Sequence, residues 1–187
     1  MDATAYSDLR KHNPYHDKMG RFATKNSHAG GAYTQEQQIA ALNDWSDGGY
    51  GEIRRAQTGA IDNAQRRAQA EAIEAYIEQQ PSFTGDLYRG IATDEPVQFR
   101  VGQTISMNGL SSWTKSEEIA DEFTQYDTYA YCFVTQGLTR AADVSKHMMN
   151  PGEQEVLVSA KTKFRIKSTE FDPDLNQTII VVEEERS

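Results

Sequence analysis

The order of patterns along the chain predicts an α+β fold, with helices first and a mixed or antiparallel β core after them. Two observations carry this. Between residues 34 and 81 apolar side chains recur at helical spacing, and from Phe83 onward short β-rich stretches alternate with turn residues. A third bounds it: 187 residues suffice for one domain with a substantial core, plus a tail.

Residues 1–32 are polar and broken by Pro14, Gly20, Gly30 and Gly31, without apolar periodicity. They read as a flexible N-terminal tail that buries too little surface to fold alone, leaving 33–187 as the domain. His12 and His16 stand four apart, a helical metal-ligand spacing, but Pro14 between them breaks a helix. They read as tail histidines, and no metal site is expected. Thr34-Gln35-Glu36-Gln37 has the form of a capping box opening a helix through Ile39, Leu42 and Trp45, ended by Asp47-Gly48-Gly49-Tyr50-Gly51. A longer helix follows from the stripe Ile61, Ala64, Ala68, Ala72, Ile73, Tyr76 and Ile77, and Pro81 stops it. Arg54, Arg55, Arg66 and Arg67 read as its wet face.

Strands are expected at Leu87–Ile91, Thr104–Ser106, Leu110–Trp113, Tyr129–Thr135, Val156–Ala160, Phe164–Ile166 and Thr178–Val182. Thr114-Lys115-Ser116-Glu117 suggests a second capping box and a short helix bearing Ile119 and Phe123. Residues 183–187 should fray. The formal charge of −9 argues against nucleic-acid binding driven by bulk charge. The single cysteine, Cys132, lies in an apolar stretch and reads as a small buried hydrophobe. With no membrane-length apolar run and no signal-peptide core after Met1, the expectation is a soluble cytoplasmic protein.

The most informative stretch is Asn150-Pro151-Gly152-Glu153-Gln154-Glu155-Val156-Leu157-Val158. A turn leads into two carboxylates one residue apart, then a buried strand. If the strand is regular at its mouth, Glu153 and Glu155 project from one face. Two carboxylates so close repel each other, unless a cation or a reaction uses them. Alone, such a pair reads as a solvated strand start. Arg89 could be an ordinary salt-bridge partner, and Ser111-Ser112 two hydroxyls bonded to nearby backbone.

Together, and in this order, these features resemble the arginine–serine–glutamate class of mono-ADP-ribosyltransferases. The resemblance covers about residues 83 to 182: Leu87-Tyr88-Arg89-Gly90, Leu110-Ser111-Ser112-Trp113 with a short helix behind it, and Gly152-Glu153-Gln154-Glu155-Val156-Leu157. Trp113 departs from it, since the family usually has a small hydroxyl residue there. The resemblance implies N-terminal helices followed by a two-sheet β core, and NAD as substrate. It implies that Arg89 binds the NAD diphosphate, the Gly90 backbone holds the nicotinamide amide, and Ser111, with Ser112 beside it, steadies the ribose and Glu155. Glu155 supports the ribosyl cation as nicotinamide departs. Glu153 serves the acceptor, which with glutamate here is an arginine of a target protein. The chemistry suits the residues, because guanidinium forks match phosphate oxygens and a carboxylate can stabilise a sugar cation and take a proton.

By the same resemblance, residues 135–152 hold target recognition. His147 there reads as exposed rather than a base. Met148 and Met149 can be partner contacts or folded inward, and Trp113 can stack on substrate or pack in the core. Asn13-Pro14-Tyr15-His16-Asp17-Lys18-Met19-Gly20-Arg21-Phe22 resembles short segments of tailed-phage head-associated proteins. That implies a phage-encoded enzyme, packaged in the virion or acting in the infected cell on a host protein, an RNA-associated one included. Alternatives within the fold are an NAD glycohydrolase, or transfer to RNA or a nucleotide. A different class is a non-enzymatic virion protein that keeps the fold for binding.

Overall fold

A computed structural model describes residues 33–125 and 128–185. The tail and its phage-like segment lie outside these residues. The chain divides into two compact units, the first ending at Ile73 and the second beginning at Glu74.

In the first unit, α1 (Gln35–Asp44) opens on the expected capping box. Thr34 Oγ1 accepts from the Gln37 N–H at 3.3 Å, and Gln37 Oε1 accepts from the Thr34 N–H at 2.9 Å. The glycine-rich segment does not end the helical region. Gly48 adopts φ +85°, a left-handed conformation that costs glycine little, and the chain bends and resumes as α2 (Tyr50–Gln57). α3 (Ala64–Glu78) begins after Ile61, continues past Ile73 into the second unit and stops before Pro81. Arg66 is not on a wet face. Its guanidinium, mostly buried, reaches Asp44 at 2.5 Å, Glu52 at 2.8 Å and Gln69 Oε1 at 3.0 Å, which ties α1, α2 and α3 together. Arg54 and Arg55 belong to α2.

The second unit holds eight strands: β1 (Phe83–Thr93), β2 (Thr104–Ser106), β3 (Ser111–Thr114), β4 (Tyr129–Leu138), β5 (Ala141–Asp143), β6 (Glu155–Val158), β7 (Lys163–Asp172) and β8 (Gln177–Glu184). They pair in the order β2-β7-β8-β4-β1-β3-β6-β5, antiparallel except for the parallel β4–β8 pair. β5 is the strand the sequence did not suggest. A short helix, α4 (Glu117–Glu122), follows β3. Its N-cap is Ser116, whose hydroxyl accepts from the Ile119 N–H at 3.4 Å, so the capping residue is two positions later than the Thr114 box suggested. β8 also continues past Val182. Glu184 accepts from the Thr139 N–H and hydroxyl, and Glu185 from Thr104 and Arg165, so residues 184 and 185 are tied to neighbours instead of fraying, while 186 and 187 lie outside the described residues.

The ladder is folded over. β1 and β3 share a single register pair, Tyr88 with Thr114, whereas β1 and β4 pair along their whole length. β3 and β7 are four strand spacings apart, about 19 Å on a flat sheet. Yet the Trp113 and Phe164 rings lie 5.4 Å apart. The β3-β6-β5 end therefore turns at the β1–β3 junction and packs over the β2-β7-β8-β4-β1 part. The core between them contains Leu87, Trp113, Phe133, Val156, Val158, Phe164, Ile166 and Ile180. This matches the expected α+β architecture with a two-layered β core.

Gly90 is explained by the helix behind β1. A Cβ there would lie 1.9 Å from the Ala120 carbonyl oxygen of α4, so only glycine permits this approach. Gly90→Ala should therefore push α4 from the sheet and cost about 1–3 kcal/mol, as overpacking does. Urea unfolding measures this, and an unchanged midpoint would contradict the contact.

Candidate active site

β1 delivers Arg89. Leu87 and Ile91, which flank it at spacing two, both meet the core, so Arg89 points to the same inner side. Its Nη1 donates to the carbonyl oxygen of Ser112 on β3. Past Tyr88, β1 keeps β4 on one side, and among the described residues no strand flanks it on the other. An open strand edge therefore lies beside Arg89 and Gly90.

The β3–β6 pair sorts the remaining candidates. Ser111 faces Val158, Ser112 faces Leu157, Trp113 faces Val156 and Thr114 faces Glu155. Residues directly opposite share a face, and successive residues alternate. Ser111 and Trp113 therefore look into the core with Val156 and Val158, while Ser112 and Thr114 share the other face with Glu155. Ser111 is 0% exposed, and its Oγ accepts from the Trp113 indole N–H at 3.1 Å. By this alternation Ser111, which the resemblance assigns to Glu155 and the ribose, turns toward the core beside Trp113, away from the face of Glu155. Ser112, half-buried, is the serine on the Glu155 side. Trp113 is a core residue, not a platform for substrate.

Glu155 is the first residue of β6 and 8% exposed. Its backbone carbonyl accepts from the Val144 N–H at 3.0 Å, which anchors it from the β5 side. Glu153 is not on the strand. Asn150-Pro151-Gly152 leads into a single helical turn, Pro151–Glu153, and Gln154 follows at φ +51°. A left-handed glutamine breaks the alternation, so spacing two does not relate the glutamates as it would on a regular strand. Glu153 is held separately, its Oε1 accepting from Asn150 Nδ2 at 2.9 Å.

Thr114, which the sequence did not single out, holds the candidate site together. Its hydroxyl donates to the Glu153 carbonyl at 2.9 Å and accepts from the Ser116 N–H at 3.1 Å, fastening the glutamate turn to the start of α4. The signal was present in the sequence: Ser112-Trp113-Thr114 sets two hydroxyls on one face around an aromatic, whereas Ser111-Ser112 cannot.

The other candidates resolve as structure. Met148 is buried, while Met149 is exposed. Burial pushes the Cys132 thiol up to about 12, with Asp121 and Glu117 adding to it, as expected of an inert buried cysteine. His147 is half-buried on the turn Ser145–His147. Its Nε2 lies 3.3 Å from Tyr76 Oη, with the rings edge to face at 5.8 Å. It packs instead of standing in solvent.

Burial, and secondarily the Lys146 charge, lowers the His147 imidazole below its ordinary value. The unfolded chain therefore takes up this proton more readily than the folded one. The contribution to stability is complete above the unfolded value and is lost as pH falls below it through the folded value. We expect the thermal midpoint to drop between about pH 7 and about pH 5, and to drop less in His147→Gln. Equal drops would remove the role.

No family model matches the sequence. The chain is 30% identical over 145 residues to a Mycobacterium avium (strain 104) protein provisionally named NAD(+)–arginine ADP-ribosyltransferase Mav. The match takes in 76% of this chain, which spans only 17% of that relative's length. Among solved structures, the ADP-ribosyltransferase Vis of Vibrio splendidus in complex with agmatine is similar at a TM-score of 0.67 and 18% identity, covering 100% of this chain and 87% of that one. Exoenzyme S from Pseudomonas aeruginosa, crystallised with human 14-3-3 protein beta and carba-NAD, is similar at a TM-score of 0.68 and 18% identity, over 82% of this chain and 76% of the other. The two-layered β core with Arg89, Ser112 and Glu155 at its fold line is thus built on the fold of the ADP-ribosyltransferases.

Proposed function

We propose that this protein transfers ADP-ribose from NAD to arginine side chains of a target protein and releases nicotinamide. The observation that carries it is the convergence on β3: Arg89 donates to the Ser112 carbonyl, and Glu155 stands opposite Thr114 on the face Ser112 shares. Arg89 is thereby bonded to the backbone of β3, the strand paired with the one that opens on the nearly buried Glu155. The name of the Mycobacterium avium relative, the carba-NAD bound to exoenzyme S and the agmatine bound to Vis support the same substrates, agmatine being a guanidine.

In this reading Arg89 pairs with the diphosphate through its planar fork, a strong charge-assisted contact in a chain of net charge −9. The backbone edge at Gly90 receives the nicotinamide amide. The bond between ribose C1′ and the nicotinamide nitrogen breaks, and nicotinamide leaves with the electron pair. Positive charge develops on the ribose, where the fixed Glu155 carboxylate stabilises it more than it stabilises the ground state. Ser112 hydrogen-bonds the ribose and Glu155 without adding charge. The acceptor guanidinium is a poor nucleophile while fully protonated, so Glu153 binds it and takes the proton as nitrogen attacks C1′.

Labelled NAD with agmatine, or with a bacterial lysate supplying the host proteins that residues 13–22 suggest, tests this directly. Glu155→Gln should lower both transfer and NAD cleavage on the order of a hundredfold or more. Glu153→Gln should lose arginine labelling while retaining most NAD hydrolysis. Wild-type protein that leaves NAD intact, or a Glu155→Gln variant as active as wild type, would sink the reading. Free ADP-ribose forming equally with and without acceptor would make the protein a glycohydrolase.

A further inference from the structure

The mouth of β6 is gripped from both sides, by bonds to three successive backbone carbonyls. From the β3 side, Thr114 Oγ1 donates to the Glu153 carbonyl at 2.9 Å and the Lys115 N–H to that of Gln154 at 3.4 Å. From the β5 side, the Val144 N–H donates to the Glu155 carbonyl at 3.0 Å. Ser145 Oγ lies 3.3 Å from that same carbonyl and 2.7 Å from Asp143 Oδ1, sharing its one proton between them. The two sides are joined by one ion pair, Lys115 Nζ to Asp143 Oδ2 at 2.7 Å. Because β6 lies between β3 and β5, this pair crosses the strand that begins with Glu155.

We infer that the Lys115–Asp143 pair is a strap that fixes the position of the Glu155 carboxylate, making Lys115 and Asp143 positioning residues for bond cleavage. This rests on the reading of Glu155 given above. Three physical points support it. The segment it crosses contains Gln154 at φ +51°, a conformation that persists only when surrounding bonds hold it. Asp143 is fully used, one carboxylate oxygen taking Lys115 and the other the Ser145 N–H and hydroxyl. Burial alone would raise its pKa, but these hydrogen bonds outweigh that and hold the carboxyl below its ordinary value. Finally, the Lys115 and Asp143 side chains are 33% and 45% exposed, and pairs so exposed add little to stability. A strap in this place acts through geometry, since catalysis is sensitive to small displacements of the reacting groups.

The test compares Lys115→Met, which keeps much of the aliphatic stem, with Lys115→Arg, which keeps the charge. NAD-cleavage kinetics are measured alongside amide hydrogen exchange at residue 115 and Val144, the donors to Gln154 and Glu155. Lys115→Met should lower kcat roughly fivefold or more, with the KM for NAD and the melting temperature nearly unchanged. Both amides should exchange about tenfold faster in Lys115→Met, and Lys115→Arg should restore rate and protection. Unaltered exchange in Lys115→Met overturns the strap, and faster exchange with an unaltered kcat overturns its positioning role. If the wild-type protein cleaves no NAD, the functional reading fails on its own. Exchange then decides the strap alone: loss in Lys115→Met with recovery in Lys115→Arg sustains it, and no change overturns it.

Discussion

The register of β3 against β6 decides which side chains can meet in the site. A slip of one residue would turn every side chain of β6 to the other face relative to β3. Trp113 prevents it. Its ring fills the core against Phe164, beside Val156 and Val158, and removing a buried side chain of this size typically costs about 3–5 kcal/mol. The alternative slip, with Trp113 still inward and β6 turned over, would carry Glu155 into an apolar interior, where an unpaired carboxylate is strongly disfavoured. The apolar residues thereby sort the polar ones. With Trp113 inward, Ser112 and Thr114 necessarily share a face with Glu155.

A second constraint brings Arg89 to the backbone of β3. The ladder bends at its weakest joint, the single Tyr88–Thr114 pair, and the layers close on a common core. On one side of β1, Gly90 admits the α4 backbone; on the other, the strand edge is left open beside Arg89. The same bend that buries Trp113 on Phe164 sets the guanidinium at the Ser112 carbonyl. The Trp113–Phe164 packing and the Arg89–Ser112 bond are thus consequences of one fold line.

Much of this was legible in the sequence, and the failures have identifiable physical causes. Val156-Leu157-Val158 and Tyr131-Cys132-Phe133 could be read as strands because consecutive apolar residues are buried on both faces. The Thr34 box could be read because its hydrogen bonds are local. Gly48 could not be placed, since glycine suits the end of a helix as well as a bend between two. β5 has three residues, too few to show a period. Ser111 and Ser112 are chemically identical, so only the phase of the strand separates them, and Trp113 was the available pointer to that phase. The turn at Gln154 was hidden because nothing about glutamine announces a left-handed conformation. The long-range bonds of Lys115, Asp143 and Arg66 leave no local pattern at all.

The break in alternation at Gln154 bears on the division of labour proposed for the two carboxylates. Had β6 begun at Glu153, both would sit on one rigid face, repelling each other at a spacing fixed by the pleat. Instead Glu155 belongs to the ladder, is nearly enclosed and is fastened through its backbone, as suits the role proposed for it, a charge already in place when a ribosyl cation forms. Glu153 belongs to a turn, is less enclosed and is held by the Asn150 side chain. That suits a group which meets an acceptor side chain, takes its proton and gives it up again. The left-handed residue between them lets one short stretch of chain place one carboxylate in a rigid frame and the other in an adaptable one.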